Sequence, residues 1–348
     1  MTRSFATLNV RKVTLAHGGG GKAMKDLIDD VFARVFDNPL LAPLEDQARI
    51  GLAALGECGD RLAFTTDSYV VDPLFFPGGD IGKLAVCGTI NDLAVGGARP
   101  LYLSCAAVIE EGTTVELLRK VAHSMADAAR EAGVSIVTGD TKVVNRGACD
   151  KLFLTTTGIG VIPAHIVLGA DRAQVGDSIV VNGTLGDHGA SIMAARGEFS
   201  LETTLESDCA ALHEIIASML TLAPGVRCIR DATRGGVATV LNEIASASGV
   251  GMEIEEKLLP VRPEVTGFCE ILGLDPLYLA NEGKFVAVVP ADQTADIIAA
   301  LRDHPLGRNA RVIGRIVKDR SARVTMKTEF GSTRTIDMLS GEQLPRIC

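Results

Sequence analysis

The spacing of apolar residues along the chain predicts a series of amphipathic helices. Between Val115 and Glu131, apolar side chains recur every three or four residues, which places them on one helix face. A nearly continuous apolar run from Ile81 to Gly96 predicts a buried helix that carries the polar pair Asn91 and Asp92 near its middle. The same spacing predicts further helices at 24–32, 208–222, 237–244 and 291–302.

Short apolar runs bounded by glycine, proline or acidic residues lie between these helices and are typical of buried strands. They occur at 61–67, 102–108, 135–140, 152–160, 178–182, 285–289, 312–317 and 323–327. The alternation of strands and helices predicts an α/β fold. With 37 glycines and only 4% aromatic residues, the composition disfavours a coiled coil or an aromatic-rich sandwich.

Three aspartates occupy similar places in this pattern. Asp67 and Asp140 each end a predicted strand, and Asp92 lies in the buried helix, where a polar group needs a partner. Ligands of α/β proteins bind outside the carboxyl ends of strands, and Mg²⁺ takes a few carboxylates together with phosphate oxygens. Each aspartate alone is more simply a cap or turn residue, but three together favour a site for Mg²⁺ and a nucleotide.

Two glycine-containing segments come directly before predicted helices. In the first, His17, Gly18, Gly19, Gly20, Gly21 and Lys22 would let a ligand approach the backbone closely, although a plain flexible linker explains them as well. It is not a Walker A loop, because Ala23 follows Lys22. In the second, Asp231 and Arg234 precede Gly235 and Gly236, an arrangement that favours a bound phosphate.

Two further polar residues are candidates for site chemistry. Glu282 stands at a glycine-marked entrance to the strand at 285–289, where it is either a solvated side chain or a general acid or base. His188 follows a glycine turn, and a cap or turn role is the simpler interpretation of it.

Length and charge limit the classes of function. With 348 residues, 47% of them hydrophobic, the chain can form two domains, and a boundary is expected between Pro163 and Gly176. A net charge of -9 disfavours nucleic acid or an anionic membrane as the main partner. The absence of a long apolar run and of an apolar leader favours a cytoplasmic location.

Eight cysteines are scattered along the sequence without a CxxC pair, which disfavours a zinc ribbon or a disulfide framework. Cys348 is the last residue of the chain, so its thiol is expected on a mobile arm. It is either an accidental unpaired cysteine or a carrier thiol that moves between sites.

Several motifs resemble the HypE family of hydrogenase maturation proteins, which belongs to the superfamily of aminoimidazole ribonucleotide synthetase, selenophosphate synthetase and thiamine-monophosphate kinase. The resemblance runs from end to end, and the PRIC ending and the FFPGGDIGKLAV run are its most specific parts. The motifs are HGGGGK at 17–22, the run at 65–98, GDTKVV at 139–144, DATRGG at 231–236, DPLYLANEGK at 275–284 and PRIC at 345–348.

The resemblance implies an α/β (α+β) fold of two lobes, similar to aminoimidazole ribonucleotide synthetase, with mixed sheets. It implies an N-terminal ATP-binding domain over 1–165 that contributes strands to a dimeric β-barrel, and hence a homodimer. A C-terminal domain would span 166–338, and a flexible tail at 339–348 would end in the reactive Cys348.

The resemblance also implies ATP and Mg²⁺ and assigns roles to residues. Metal or phosphate-site residues would be Asp67, Asp92, Asp140 and, less specifically, Asp231. Cofactor binding falls to the 17–22 segment, Asn91 and Arg234. We expect Glu282 to act as a base and Lys142 to orient the carbamoyl group or the departing phosphate.

The implied reaction begins when a partner, HypF, loads the thiol of Cys348 with a carbamoyl group. ATP-dependent dehydration then gives a thiocyanate, and the HypC–HypD complex receives the cyanide for the iron of a NiFe-hydrogenase. Two alternatives are a small-molecule phosphotransferase such as selenophosphate synthetase and a non-catalytic scaffold that presents its tail. The first is weakened because its reactive cysteine lies near the N-terminus, whereas the first cysteine here is Cys58.

Overall fold

A four-stranded mixed sheet organises the N-terminal half of the chain in the computed structural model, which describes residues 7–197, 204–339, 341 and 346–348. The strand order is β1–β6–β4–β5, with β4 parallel to β5 and antiparallel to β6. The strands of this half are β1 (Arg61–Tyr69), β2 (Phe75–Phe76), β3 (Gly79–Asp80), β4 (Arg99–Glu110), β5 (Ser135–Val144) and β6 (Leu152–Ile162), where β2 and β3 form a separate hairpin.

Helices cover one face of this sheet. They are α1 (Lys22–Leu27), which continues into a π-helical segment at Ile28–Ala33, α3 (Ile81–Val95) and α4 (Val115–Glu131). The short helix α2 (Leu52–Gly56) has no buried residue. Helix α3 packs on the sheet, on α4 and on elements of the C-terminal half, and all its residues except Lys83 and Asp92 are buried. This central position explains why its sequence is apolar on every side.

The C-terminal half contains a seven-stranded sheet with the order β13–β12–β9–β11–β7–β10–β8, antiparallel except for the β12–β9 pair. Its strands are β7 (Ser178–Val181), β8 (Cys228–Asp231), β9 (Gly251–Glu255), β10 (Phe285–Val289), β11 (Arg311–Val317), β12 (Val324–Lys327) and β13 (Thr333–Thr335). Its helices are α5 (Asp187–Ala195), α6 (His213–Leu222), α7 (Gly236–Ser248), α8 (Pro263–Leu272) and α9 (Thr294–Asp303). Separate apolar clusters form where α7 packs against one face of the sheet and where α6 and α9 pack against the other.

The predicted two-lobed α/β fold with mixed sheets is confirmed. Helix α4 and strand β10 have the predicted bounds, but the helix predicted at 208–222 begins only at His213. Tertiary hydrogen bonds explain the difference: Asp208 accepts from the backbone of Glu282, and the Leu212 amide donates to Asn91 Oδ1. The domain bounds at 165 and 338 and the dimeric barrel stay predictions.

None of the helices within the described ranges combines the length and the apolar character that crossing a lipid bilayer requires.

Candidate active site

A cavity of about 250 Å³ lies between the two lobes, and we call it the carboxylate cavity. Residues from five separate segments line it. The predicted site residues among them are Asp67 on β1, Asp92 on α3, Asp231 at the end of β8, Arg234 in the turn before α7, Glu282 before β10, and Cys348. The strand–turn–helix junction that carries Asp231 and Arg234 thus faces Asp67 and Asp92 of the N-terminal lobe.

Burial and neighbouring negative charge disfavour the ionisation of Asp92 and Asp231. Burial raises the pKa of Asp92, and the neighbouring charge of Asp67 raises it further, against a 2.8 Å hydrogen bond from Thr65 Oγ1. Burial and then the charge of Asp92 raise the pKa of Asp231 to about 7. The Arg234 guanidinium lies 3.9 Å from Asp67 Oδ1, and Arg230, which also lines the cavity, opposes the rise in the pKa of Asp92 and Asp231.

This donor set fits a cation that completes its coordination with phosphate. Among the described residues, no three His, Cys, Asp or Glu side chains converge closely enough to enclose a metal ion. Asp67, Asp92 and Asp231 nevertheless line one cavity and repel one another, and Mg²⁺ commonly takes one or two carboxylates together with phosphate oxygens. A metal–phosphate unit would therefore relieve the repulsion that the three carboxylates show here.

Glu282 is buried, and hydrogen bonds from its backbone to Asp208 fix its position. Asp208 accepts hydrogen bonds from the backbone amides of Glu282 and Gly283 at 3.0 and 3.1 Å, and Lys284 pairs with Asp208 at 2.8 Å. Burial, followed by the charges of Asp208 and Asp231, raises the pKa of Glu282 well above its usual value. Its Oε1 has no hydrogen-bond partner among the described residues, so this atom is available to a ligand in the cavity.

The thiol of Cys348 reaches the cavity because the tail segment, residues 346–348, docks beside residues 70–72. The Val70 amide donates to Cys348 O at 3.1 Å, and the Asp72 amide donates to Arg346 O at 3.2 Å, as between antiparallel strands. Ile347 is buried in the N-terminal core. The described position of the tail segment is therefore an inward one; Pro345 lies outside the described residues.

Burial raises the pKa of Cys348 to about 12, the charge of Glu282 adds to the effect, and Arg234 opposes it. The docked thiol is therefore neutral, and a thiolate at neutral pH requires a different environment. This matches a cysteine that acquires its carbamoyl group with the tail outside the cavity.

A second pocket, of about 560 Å³, lies at the other edge of the N-terminal sheet, and we call it the glycine pocket. Gly20, Gly21 and Asp140 line it. Lys142 Nζ lies 2.8 Å from Asp140 Oδ2, and this exposed pair, through its hydrogen bond, lowers the pKa of Asp140.

The register of the sheet separates Asp140 from the carboxylate cavity. Asp140 lies opposite Ala106, Thr155 and Ser68 in successive strands, whereas Asp67 lies opposite Thr156. Alternate residues of a strand point to opposite faces, so Asp67 and Asp140 belong to opposite faces and to opposite edge strands. One chain therefore does not bring Asp140 or Lys142 to the carboxylate cavity.

The other residues predicted for cofactor binding have structural contacts. Asn91 donates to Ala210 O and Glu282 O and accepts from the Leu212 amide, so its amide joins the lobes and does not line the carboxylate cavity. His17 Nδ1 bonds to Thr14, and Gly18 packs on Val143. Lys22 pairs with Asp26 on the surface. His17, Gly18, Gly19 and Lys22 are not among the residues that line the glycine pocket.

Sequence reasoning assigned no role to Tyr69, and for His188 it favoured a cap or turn role over one in the site. Tyr69 is fully buried and lines the carboxylate cavity, and burial raises its pKa well above the usual value. Since Tyr69 follows Asp67 by two positions on β1, strand alternation already placed both on one face. His188 contacts the tail segment, a contact between distant parts of the sequence that no local pattern indicates.

Comparison with known proteins gives two family matches. The model of the N-terminal domain of AIR synthase related proteins matches residues 45–162, and that of the C-terminal domain matches residues 174–327. The two matches fall in the two lobes described above.

Individual relatives match over nearly the whole chain. Carbamoyl dehydratase HypE of Rhodobacter capsulatus is 61% identical over 341 residues, which cover 98% of this chain and 99% of that protein. A crystal structure of a hydrogenase maturation protein HypE in complex with ATP has a TM-score of 0.91 at 48% identity and covers 96% of this chain and 99% of that one. A chain from the crystal structure of a HypE–HypF complex has a TM-score of 0.78 at 46% identity and covers 90% of this chain and 99% of its own.

Proposed function

The chain belongs to the HypE family of carbamoyl dehydratases, and from this premise we propose that it converts a carbamoyl group on Cys348 into a thiocyanate in an ATP-dependent reaction. One observation carries the proposal: Cys348 lies in the same cavity as three aspartates, an arginine and a buried carboxyl group. The cyanide would serve as a ligand of the iron in a NiFe-hydrogenase. The enzyme class follows from the family; the assignment of steps to residues is our proposal.

The chemistry requires a poor leaving group to be made a good one. In the group –S–C(=O)–NH₂ the oxygen must leave and both nitrogen protons must be lost. Transfer of the γ-phosphoryl group of ATP to that oxygen, with ADP as the first product, allows the C–O bond to break with departure of phosphate. Positioning and charge stabilisation provide most of the catalysis in such phosphoryl transfers.

We propose that Asp67, Asp92 and Asp231 hold Mg²⁺ with its bound phosphates and that Arg234 binds a phosphoryl oxygen. The support is their shared cavity and the mutual repulsion described above. When bound, Mg²⁺ neutralises negative charge that develops on the phosphate oxygens. The chain's own contribution is to fix these groups on two strands, on helix α3 and in the turn before α7, so that they need little rearrangement during the reaction.

Glu282 is the residue that we propose to take a proton from the carbamoyl nitrogen. It lines the cavity with the thiol, and the Oε1 atom has no partner within the described residues. A carboxylate with a raised pKa is a stronger base once it is ionised. Asp208 fixes the backbone of Glu282, so the carboxyl group is oriented before the substrate arrives.

The tethered substrate removes a bimolecular encounter, because the tail segment brings the carbamoyl group to the site within the same chain. The inward position also removes part of Cys348 from solvent, which limits the access of water to the activated intermediate. Loading requires the opposite position, with the thiol accessible to a carbamoyltransferase of the HypF type. A relative has been crystallised as a HypE–HypF complex, which supports this partner. Transfer of the product to a HypC–HypD complex is proposed from the family alone.

We further propose a homodimer formed through the uncovered face of the N-terminal sheet. Phe64 is 69% exposed on edge strand β1 and lies opposite Ile159 on that face. Leu62, two positions earlier on the same face of β1, is 60% exposed, and neighbouring exposed apolar side chains on an open sheet face are typical of an interface. A second copy is also required if Asp140 and Lys142 act on the same nucleotide as Asp67, since one chain keeps them on opposite faces.

Two alternative functions are less well supported. A small-molecule phosphotransferase would need room for a diffusible acceptor, but the tail thiol lines the carboxylate cavity. A non-catalytic scaffold does not explain a buried carboxyl group and three aspartates around that thiol. Both alternatives predict that ATP has no chemical effect on a carbamoylated Cys348.

The proposed function is tested by incubating the full-length protein with carbamoyl phosphate, a HypF carbamoyltransferase, ATP and Mg²⁺. The mass of the C-terminal peptide is then measured. With ATP, we expect the carbamoyl adduct on Cys348 to lose the mass of one water. When a non-hydrolysable ATP analogue replaces ATP after loading, we expect the carbamoyl adduct to remain. Cys58→Ala is the matched control and should behave as wild type. An adduct that persists unchanged with ATP would refute the proposal.

A further inference from the structure

His188 is buried in the first turn of α5 and touches the tail segment. Its Nε2 lies 2.8 Å from the backbone oxygen of Ile347, and its Nδ1 lies 2.8 Å from Ser207 Oγ. The ring of Phe76 stands edge-on to the imidazole, with 5.6 Å between ring centres. The catalytic steps described above do not use this residue.

The hydrogen-bond partners determine the tautomer of His188. A carbonyl oxygen only accepts, so Nε2 must carry the proton that bonds to Ile347 O. Burial lowers the pKa of His188, in agreement with a neutral ring whose Nδ1 accepts from the Ser207 hydroxyl. Ser207 Oγ in turn accepts a hydrogen bond from the Cys209 amide at 3.1 Å. The donor and the acceptor of each bond from Cys209 to Ile347 are therefore defined.

The other two carbonyl groups of the tail segment also have donors from the rest of the protein. Arg196 donates to Arg346 O at 2.9 Å and to Asp72 O at 3.0 Å, and the Asp72 amide donates to Arg346 O as well. The Val70 amide donates to Cys348 O. Each of the residues 346–348 therefore has a backbone oxygen that accepts a hydrogen bond from a group outside the segment.

Recognition through the backbone has a chemical advantage for a carrier segment. The docking bonds involve none of the atoms that change when the sulfur bears a hydrogen, a carbamoyl group or a cyano group. The same bonds can therefore hold the segment through every stage of the reaction, while the sulfur stays free to react.

We propose that His188 is a positioning residue that holds the tail segment, and with it the substrate on Cys348, inside the carboxylate cavity during dehydration. This inference rests on the proposed function. Without the His188 donor, Ile347 O is buried and unsatisfied only when the segment is docked, so the loss disfavours the inward position and leaves the outward one unaffected. Dehydration should suffer, whereas loading of the thiol should not.

The test compares His188→Leu with His188→Gln in the full-length protein. Glutamine keeps an N–H donor at a similar reach, whereas leucine keeps only the volume. Two quantities are measured on the C-terminal peptide by mass spectrometry: the rate at which iodoacetamide alkylates Cys348 without ATP, and the single-turnover rate at which a preloaded carbamoyl group loses water at saturating ATP.

For His188→Leu we expect alkylation about tenfold faster and dehydration about tenfold slower than for wild type, the size of effect that follows from a buried acceptor left without its donor. His188→Gln should lie closer to wild type in both measurements. Loading by the carbamoyltransferase should be no slower than in wild type for either variant, because loading takes place with the tail outside the cavity.

The outcomes separate this inference from the proposed function. If the wild type forms no thiocyanate, the proposed function fails. If the wild type dehydrates and His188→Leu matches it in both rates, the inference is overturned. Slower dehydration without faster alkylation overturns it as well, because the variant would then damage the site with the tail still docked.

A measurement on the unaltered protein covers the case in which His188→Leu does not fold. Nitrogen-15 NMR of the wild type should show His188 with a protonated Nε2 and an unprotonated Nδ1. Ser207→Ala removes the donor to Nδ1 and should accelerate alkylation of Cys348 by a smaller factor than His188→Leu. The opposite tautomer in the wild type would overturn the inference.

Discussion

The carboxylate cavity and the glycine pocket lie at opposite edges of one sheet, and they differ in which parts of the chain line them. Both lobes and the tail segment contribute to the carboxylate cavity, where burial and neighbouring negative charges raise the pKa of Asp92, Asp231 and Glu282. The N-terminal lobe alone forms the glycine pocket, and its Asp140–Lys142 pair is exposed. Exposed ion pairs contribute little to stability, so this pair has no strong structural reason to exist.

This difference teaches that motifs which look like parts of one nucleotide site need not meet within one chain. The aspartates at 67, 92 and 231 converge, whereas Asp140 points to the other face of the sheet. If all four serve one nucleotide, a second copy must bring its Asp140 to the first copy's cavity.

The largest effect is expected from Cys348→Ala. Removal of the sulfur removes the atom that carries the substrate, so thiocyanate formation should be abolished, while ATP binding should remain. The measurement is thiocyanate detection on the C-terminal peptide together with equilibrium binding of ATP. A product adduct on another cysteine of this variant would contradict the assignment of the thiol.

Glu282→Gln should slow dehydration of the preloaded carbamoyl group by about 10²- to 10⁴-fold, the usual contribution of a general acid or base. Loading of Cys348 should be unchanged, because it takes place with the tail outside. Glu243→Gln is the matched control: Glu243 lines the same cavity but pairs with Arg230 at 2.7 Å. Equal single-turnover rates for the two variants would remove Glu282 from the proposed role.

Asp92→Asn and Asp140→Asn test whether the two pockets cooperate between copies. Each variant alone should fold normally and lose about 100-fold or more of its ATP-dependent turnover, as when a charge-stabilising group is removed. After dissociation and mixing, half of the dimers are hybrids with one intact site, so about a quarter of wild-type turnover should return. A mixture that stays inactive, although mass spectrometry shows hybrid dimers, would contradict a site shared between copies.

The smallest predicted effect is a pH dependence of stability from His188. Burial keeps its folded-state pKa below the ordinary value near 6.5, so the unfolded chain binds a proton more readily. The contribution of His188 is fully present above that value and is lost as the pH falls toward the folded-state pKa. The slope is at most about 1.4 kcal/mol per pH unit. Urea unfolding between pH 7 and 5 should show a shallower fall for His188→Gln; equal slopes would contradict a buried neutral histidine.

Much of the fold can be predicted from local patterns, because apolar residues recur at a characteristic spacing along each helix and each strand. Helix α4 matches its predicted bounds, since one face packs on the sheet and Thr114 caps its first turn. Residues 208–212 do not follow the pattern, since Asp208 and the Leu212 amide bond to residues from other segments. Local spacing contains no information about such contacts.

The sequence allowed most residues of the site to be identified, but it did not show how they are arranged in space. Acidic residues at strand ends and the glycine turn at 235–236 identified most of the carboxylate cavity. Period-2 alternation alone did not place Asp67 and Asp140 on different faces, because that result depends on the register through β6 and β4. The inward tail segment depends on His188 and Arg196, which lie about 150 residues before it in the sequence.

The most direct test of the central claim follows the carbamoyl oxygen. The thiol is loaded by a HypF carbamoyltransferase from carbamoyl phosphate that carries oxygen-18 in its carbonyl group, and the phosphate released during ATP-dependent dehydration is analysed by mass spectrometry. Phosphoryl transfer to the tethered carbamoyl group predicts that the label leaves Cys348 in inorganic phosphate, one labelled phosphate for each thiocyanate formed. Label found in water, with unlabelled phosphate, would contradict the account.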